Sequence, residues 1–472
     1  MTMAPRYDLV VIGSGPAGEK GAARAAYFGK KVALIERAAH LGGAGVNTGT
    51  IPSKTLRETA LYFSGLRQRG LYGIDYSLKG DVTVGRLMHR ERAVVETEWA
   101  LIQRNLDRHG VEVVHGDASF TAAGAVHVVA PDGTARELQT EVVLIATGSA
   151  PHHPPGVPFD EDLIYDSDSI LRMKRIPKSM VVVGGGIIGC EYAALFTVLG
   201  IEVTQVVSSG QLLAFVDSEI RQRLQAHLEG LGLRFIFNER VAAVTREEQR
   251  VRLRLQGGET IGADIVLFAA GRKGNTEGLG LEQIGVKVDD HGLIVVDECY
   301  RTTAPNIYAA GDVIGFPALA SISMEQGRVA VTHAFGLHST VRVATVSPLA
   351  VYSIPEVAMV GLTEDAAREQ GIPYLVGRSY YEKSPRGQII GDLTGMLKLV
   401  FSPRDKKLLG VHHIGELASE LVHIGAHVMA EGGAIDAFID AVYNYPSLAD
   451  SYKYAAYDGL GHHDQWLAAG NT

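Results

Sequence analysis

Cysteine is almost missing from this chain: its 472 residues hold only Cys190 and Cys299. So few thiols exclude a disulfide framework and any cysteine-rich metal site, and they suit a reducing compartment. Long apolar runs are missing too. None approaches the roughly 18 residues that a membrane helix needs, so no membrane partner is expected. The first residues, MTMAPRYDLVVIG, carry one Arg and then run into a short strand-like pattern, without the apolar core and small-residue cleavage site of an export signal. A cytoplasmic location is the expectation. Nor is positive charge in excess: 44 Lys and Arg stand against 53 Asp and Glu, a net charge of −9. That balance argues against nucleic acid as a partner. One core does not extend over such a length, and about three domains are expected.

Glycine, by contrast, is abundant and falls in patterns. Residues 7–12 read as a buried strand that passes straight into Gly13-Ser-Gly15-Pro-Ala-Gly18, then into an alanine-rich helix over 19–28, and a second strand, 31–35, ends in Glu36. In this strand, turn and helix setting GxGxxG is a dinucleotide fingerprint. Its first glycine makes the tight turn, the second lets backbone approach a pyrophosphate, and the third lets helix pack on strand. The helix amino terminus presents unpaired N–H groups to phosphate. Glu36, 18 residues beyond Gly18, is placed to accept from both ribose hydroxyls. Outside such a setting the pattern is often a plain turn; with strand, helix and acid all present, the turn reading fails.

The fingerprint recurs as strand 180–183, Gly184-Gly-Gly186-Ile-Ile-Gly189, helix 191–199 and strand 203–207. Each set also has a later buried strand that ends in small residues, 142–146 before Thr147-Gly148 and 266–270 before Gly271-Arg272. Two matched sets imply two nucleotide-binding domains, with Thr147, Gly148 and Gly271 among the expected cofactor-binding positions. The proline-rich stretch 150–158 reads as a linker between them. The second set differs at one place. Counting 18 residues from Gly189 reaches Val207, followed by Ser208, Ser209 and Gly210, and no Lys or Arg lies between 206 and 220. Without the carboxylate a 2′-phosphate is not repelled, and the serines can hydrogen-bond to one. Tolerance of both NADH and NADPH is expected.

Residues 58–115 read as helices on a long excursion, including LYFSGLRQ and the amphipathic HRERAVVETEWALIQRNLDRHG, and a hairpin turns at Pro131-Asp132-Gly133. Beyond Arg272, TTAPNIYAAGD is a strand ending in Gly311-Asp312, before a helix over 318–334. Asp312 at a strand end could hold a polyol hydroxyl, although Gly-Asp by itself more often marks a turn. From about Thr345 the pattern becomes α+β with no fingerprint, with strands near 350–352 and 395–400 and helices near 416–430 and 450–457. Packing or subunit contact is its expected role. Cys190 and Cys299 read as packed thiols, and His412, His413 and His423 as structural or interface residues rather than metal ligands, so no metal is expected. His462-His463 reads as a frayed end.

The segments DLVVIGSGPAG, GGAGVNTGTIPSK, IATGS, VVVGGGIIGCEYA, AAGRKGN and TTAPNIYAAGD, in this order and spacing, resemble those of the flavoprotein disulfide reductases, the family of lipoamide dehydrogenase, glutathione reductase and mercuric reductase. The resemblance covers essentially the entire chain. It implies an α/β fold of two Rossmann-like dinucleotide-binding domains and a C-terminal α+β dimerisation domain. The expected division is a FAD-binding domain from residues 1–150 and 275–344, an NAD(P)-binding domain from 151–274, and a dimerisation or interface domain from 345–472. FAD as cofactor, NAD(P)H as substrate, and a homodimer or higher homo-oligomer are implied with it. By the same resemblance Lys54 lies near the flavin N5 edge and pairs with Glu191. Asp312 binds the ribityl or pyrophosphate region of FAD, and the following helix points its amino terminus at the flavin pyrimidine edge.

In thiol-active members of that family, the segment matching residues 42–56 carries two cysteines five residues apart. Gly45 and Thr50 hold those positions here, and neither can accept electrons or form a thiolate. Those members also have His where Tyr445 lies and Glu where Asp450 lies, and Tyr445 is no base near neutral pH. The resemblance is strongest to the transhydrogenase branch, through GTIPSK, LLAFVD and YNYP, although that branch keeps the first cysteine, here Gly45. Hydride transfer between NADPH and NAD through FAD, without a redox disulfide, is the expected activity. It needs stacked rings, orientation and exclusion of water rather than a thiol. Two alternatives stand beside it: an NAD(P)H:quinone or dye reductase on the same scaffold, and a flavin-binding subunit without turnover.

Overall fold

The computed structural model describes residues 5–66, 71–72, 82–338, 343 and 346–470. The first strand, Arg6–Ile12, lies between the parallel strands Val32–Glu36 and Ala135–Ile145, and Glu112–His115 follows on the far side of Val32–Glu36. Strands covered on both faces need near-continuous apolar residues, which Val10, Val11, Leu34 and Leu144 supply in the core. Ala135–Ile145 is long enough to serve two partners. Its end, residues 143–145, pairs in parallel with Ile307–Ala309, while its start pairs antiparallel with the hairpin of Ala125–Val129 and Asp117–Ala122. A segment remote in sequence thus completes the amino-terminal sheet. Helix Pro16–Tyr27 packs on helix Ala320–Ala334 at a distance only glycine permits, since a Cβ on Gly327 would stand 2.2 Å from the Ala17 carbonyl oxygen.

The second sheet, all parallel, runs Arg234–Phe237, Glu202–Val207, Ser179–Val183, Ile265–Phe268 and Ile164–Asp166. Its strand order around the fingerprint strand matches that of the first, so the repeat in sequence is a repeat in topology. A three-stranded antiparallel sheet, Val241–Arg246, Val251–Leu255 and Thr260–Ala263, branches from it. Where the chain enters and leaves this unit, Ser149–Pro151 pairs antiparallel with Arg272–Gly274. The stretch 150–158, expected as a plain linker, therefore begins in a strand: the two crossings leave neighbouring strand ends side by side and satisfy each other's backbone groups.

Helix expectations over the excursion hold in outline. Residues 61–64 close the helix Thr50–Ser64, which stops at Gly65 with φ 60, and His89–Arg108 is a single helix. The end of LYFSGLRQ lies outside the described residues. The carboxy-terminal sheet is antiparallel, in the order Leu349–Val351, Val357–Gly361, Leu408–Ile414, Met396–Phe401 and Leu375–Tyr380, and helices Ala418–Ala430 and Ser451–Ala468 cover it. The last helix continues well beyond 457 because it packs closely on strand Leu375–Tyr380, where a Cβ on Gly377 would stand 2.1 Å from the Ala455 carbonyl oxygen. His462 and His463 therefore are not a frayed end. Their ring nitrogens lie 2.8 Å from the Val376 oxygen and 3.0 Å from the Pro403 oxygen.

His412 and His413 are fully buried, and burial pushes the His413 imidazole down to about 3. Both are structural: His412 Nε2 sits 2.8 Å from the Leu362 oxygen, and His413 Nε2 2.7 Å from the Tyr381 hydroxyl. Cys190 is likewise a packed thiol, pushed up to about 12 by burial. A buried cation went unread in the sequence. Lys398, on Met396–Phe401, places Nζ 2.9 Å from Asp217, 3.1 Å from Glu219 and 2.6 Å from Glu364. Asp217 caps helix Ser218–Gly230, so this cluster fastens the second sheet unit to the carboxy-terminal sheet. Among the described residues no helix is long and apolar enough to cross a membrane.

Candidate active site

A cavity of about 1530 Å³ runs from the first fingerprint to the second and on to residues 346–352 of the carboxy-terminal unit. The two fingerprints build its ends in the same way. A Cβ on Gly13 would stand 2.4 Å from the Ala146 oxygen and one on Gly18 only 1.9 Å from the Gly13 oxygen, whereas the nearest atom to one on Gly15 lies 3.9 Å away. In the second set a Cβ on Gly184 would meet the Ala269 oxygen at 2.3 Å and one on Gly189 the Gly184 oxygen at 2.4 Å, while Gly186 meets nothing within 4 Å. Outer glycines permit packing; the middle one leaves backbone open to a ligand. Helices Pro16–Tyr27 and Ile187–Val198 start here without side-chain caps, so their first N–H groups are available to an anion.

Glu36 lines the cavity at the end of its strand. Its Oε2 accepts from Ser14 N at 2.9 Å and Ser14 Oγ at 2.6 Å, and its Oε1 accepts from Ala38 N at 2.8 Å. An ionised carboxylate has about four acceptor sites, so capacity for a ligand remains. In the second unit Ser208 and Ser209 are exposed and do not line this cavity; Ser209 Oγ donates to the Gln211 oxygen at 2.9 Å. Residues 238–240 run beside them, with Asn238 N donating to the Ser209 oxygen and Glu239 N to the Val207 oxygen, both at 3.2 Å. This polar neighbour comes from the adjacent strand's end, which a count along one strand does not reach.

Lys54 and Glu191 meet as expected. Lys54 Nζ lies 2.6 Å from Glu191 Oε2, and Glu191 Oε1 accepts from Tyr352 N at 2.8 Å. Gly45 and Thr50 line the same cavity. Position 45 is cramped, because a Cβ there would stand 3.1 Å from Pro16 Cγ. The short helix Gly43–Asn47 is braced from behind: Asn47 Nδ2 donates to the Leu41 and Gly43 oxygens at 3.0 and 2.9 Å, and Trp99 Nε1 donates to Asn47 Oδ1 at 2.8 Å. Trp99 in turn stacks on His40 with ring centroids 3.6 Å apart.

Asp312 Oδ2 accepts from Ser149 Oγ at 3.1 Å, and Arg272 donates to both Ser149 Oγ and the Ser149 carbonyl oxygen, at 2.8 and 2.6 Å. Arg272 also stands 3.6 Å from Asp168, whose carboxyl burial pushes up against the opposing pull of the guanidinium. Thr147, Gly148 and Gly271 lie at this crossing, with φ 68 at Gly148 and 116 at Gly271. Helix Ala320–Ala334 begins at the cavity from the uncapped Leu319. His423, expected as a structural or interface residue, is exposed and lines the cavity. Two cavity-lining hydroxyls, Thr147 Oγ1 and Tyr192 Oη, are buried without a partner among the described residues. Buried polar groups in folded proteins are rarely left so, and a polar dinucleotide ligand fits them together with the open middle glycines.

The pyridine nucleotide-disulphide oxidoreductase family model matches residues 7–327, and the dimerisation domain of the same family matches residues 347–456. A soluble pyridine nucleotide transhydrogenase of Mycobacterium tuberculosis (strain ATCC 25177 / H37Ra) is 46% identical over 456 residues, covering 96% of this chain and 97% of the relative. The protein of the same description from Pseudomonas putida (strain GB-1) is 40% identical over 457 residues, covering 96% and 98%. Among solved structures, LpdA from Mycobacterium tuberculosis superposes with a TM-score of 0.88 at 28% identity over 96% of this chain and 99% of that one. The HOCl-induced flavoprotein disulfide reductase RclA from Escherichia coli gives a TM-score of 0.86 at 28% identity, again over 96% and 99%. The fold, the paired fingerprints and these full-length matches together make the chain a member of the pyridine nucleotide-disulphide oxidoreductase family.

Proposed function

We propose that this chain is a FAD-dependent NAD(P)H oxidoreductase of transhydrogenase type, moving hydride between NADPH and NAD without a redox disulfide. The observation that carries this reading is the Lys54–Glu191 pair, closed at 2.6 Å across a cavity that joins two dinucleotide fingerprints, while Gly45 and Thr50 offer no thiol. The transhydrogenase descriptions of the 46% and 40% identical relatives agree with it. None of the relatives named above has a quinone in its description, and the quinone alternative is not carried further.

FAD, when bound, supplies the chemistry of taking hydride from one nicotinamide and handing it to the next. The chain supplies the rest. Gly13, Gly15 and Gly18 with the first helix amino terminus hold one pyrophosphate, and Glu36 its ribose. Asp312, Thr147 and Gly148 would line the stretch toward the ring system; Gly186 and Gly271 would take the second dinucleotide inside the cavity, Gly184 and Gly189 would give the turn its close packing, and Ser208 and Ser209, outside the cavity, would meet the ribose end. Lys54 would hold a positive charge beside a bound flavin, which would favour its more negative reduced form, and Glu191 fixes that ammonium in place. Fixed charges of this kind act strongly where water is excluded, which the wall from residues 346–352 supports.

The pairing of Ile307–Ala309 with Ala135–Ile145 supports a FAD-binding domain made of 1–150 and 275–344, around an NAD(P)-binding domain of 151–274. The dimerisation-domain match supports a homodimer through residues 345–472. Anaerobic stopped-flow spectroscopy tests the activity. NADPH should bleach the bound flavin, and NAD or its thio analogue should restore the colour at a catalytic rate. Restoration by a quinone but by no nicotinamide would overturn the transhydrogenase reading. Lys54→Met should slow the bleaching about tenfold or more, the scale of losing one oriented charge, while the variant keeps its FAD.

A further inference from the structure

Lys54 carries three N–H donors, of which one reaches Glu191 Oε2 at 2.6 Å and another only weakly reaches Ser53 Oγ at 3.4 Å. The ammonium also stands 4.9 Å from the centroid of the Tyr352 ring, within the range at which an aromatic face attracts a cation. The same residue grips the other partner, since Tyr352 N donates to Glu191 Oε1 at 2.8 Å. Ring holds cation and amide holds anion, and both contacts come from the carboxy-terminal unit rather than from either fingerprint unit.

The segment bearing Tyr352 is itself locked. Buried Arg57, one turn after Lys54 on the same helix, donates from Nε to the Ser353 carbonyl oxygen at 2.9 Å and pairs with Glu356 at 3.3 Å. Glu356 also accepts from Ser419 N at 3.1 Å and Ser419 Oγ at 2.8 Å. Ser353 Oγ donates to the Pro355 oxygen at 2.7 Å. Arg57 thus ties the end of the carboxy-terminal sheet to the helix that presents Lys54, and the Tyr352 ring has little freedom to leave the ammonium.

We infer that Tyr352 is a positioning residue for hydride transfer, resting on the reading given under Proposed function: its ring and its backbone N–H together set where the Lys54 and Glu191 charges sit in the cavity. Truncating the ring leaves the amide contact to Glu191 but frees the ammonium to pivot about Glu191 Oε2. Positive charge then moves off its fixed place, which disfavours the reduced form of a bound flavin. Removing the hydroxyl alone takes away its hydrogen bond with Ser419 but leaves the aromatic face over the ammonium.

The test compares Tyr352→Leu and Tyr352→Phe in the full FAD-loaded chain. The first readout is the reduction potential of the bound flavin, measured by photochemical reduction against a reference dye with no nicotinamide present. The second is the rate of flavin bleaching by NADPH together with its KM. Tyr352→Leu should make the potential more negative and slow bleaching about tenfold, a scale between those of an exposed and a desolvated cation–π contact, with KM within about twofold. Tyr352→Phe should match the wild type within about twofold in both. An unaltered potential and rate in the leucine variant, or an equal loss in the phenylalanine variant, overturns the inference. Should the leucine variant load no FAD, phenylalanines bearing one, two and three ring fluorines at position 352 keep the volume while weakening the aromatic face. A stepwise fall in potential supports the inference and a flat series overturns it. A wild-type flavin that neither NADPH nor NADH bleaches would sink the oxidoreductase reading instead, while the potentials of the variants still decide Tyr352.

Discussion

Gly15 and Gly18 share one fingerprint, yet a methyl group has opposite consequences at the two positions. At Gly18 it would stand 1.9 Å from the Gly13 carbonyl oxygen, so helix and strand must move apart. Overpacking of this kind costs typically about 1–3 kcal/mol, and Gly18→Ala should lower the melting temperature of the apoprotein. At Gly15 the methyl meets only Gly43 Cα, at 3.9 Å, and projects toward the cavity. Gly15→Ala should therefore melt with the wild type while holding FAD more weakly. Melting curves of the two apoproteins and flavin content after dialysis check both; equal melting temperatures would contradict the division of labour. This part of the site was legible in the sequence because a turn, a helix start and Glu36 are local features whose spacing is set by backbone geometry. Tyr352, Asn238 and Trp99 were not legible. Each reaches the site through tertiary packing, Tyr352 from 161 residues beyond Glu191, and no periodicity along the chain encodes such a meeting.

Between elements, the same distinction separates the strands from what joins them. The parallel strands of the two fingerprint sheets were readable from apolar runs and turn residues, down to their repeat. Lys398 was not, because it is the one polar residue in the otherwise apolar strand Met396–Phe401, and only the packed structure shows it buried among Asp217, Glu219 and Glu364. Burial pushes the Asp217 carboxyl up, but the charges around it prevail and hold it below the usual range. Burial pushes the His412 imidazole down against the upward pull of Asp217, and Lys398, itself pushed up by these carboxylates, is the neighbouring cation that stays charged. The sign follows. A carboxyl depressed in the folded state adds stability that is present above its unfolded value, about 3.9, and lost as pH falls through the folded one. Lys398→Met should cost about 3–5 kcal/mol near pH 7, the usual result of stranding one member of a buried pair. Without the cation Asp217 loses part of what holds its carboxyl down and is protonated more readily, so the deficit should narrow as the pH is lowered from 7 toward 5. Urea midpoints of wild type and variant at both pH values decide it; a deficit that is absent at pH 7 or that widens in acid would contradict the account.

At the scale of the whole molecule, the carboxy-terminal unit has two faces with different duties. One face seals the cavity, through Tyr352 and Ser419, and is packed against the fingerprint units. The other leaves large apolar side chains in solvent: Val442 is 95% exposed, Tyr445 72%, Tyr454 54% and Tyr457 50%. Tyr454 and Tyr457 are three residues apart on one helix and so share a face. Apolar side chains gathered in this way mark an interaction surface more often than a free one, and the family's dimerisation-domain match spans all but the last of them, residues 347–456. A second copy of the chain is the occupant this favours. Val442→Asp should place a charge at the most exposed of these apolar side chains, where an unpaired charge is costly to bury. Sedimentation equilibrium should then show the mass falling from that of two chains toward one over a concentration range in which the wild type stays paired, with the dissociation constant raised by about tenfold or more, equivalent to about 1.4 kcal/mol. A variant that remains dimeric at every concentration would move the interface away from Val442, and a wild type that sediments as one chain would remove the pairing altogether.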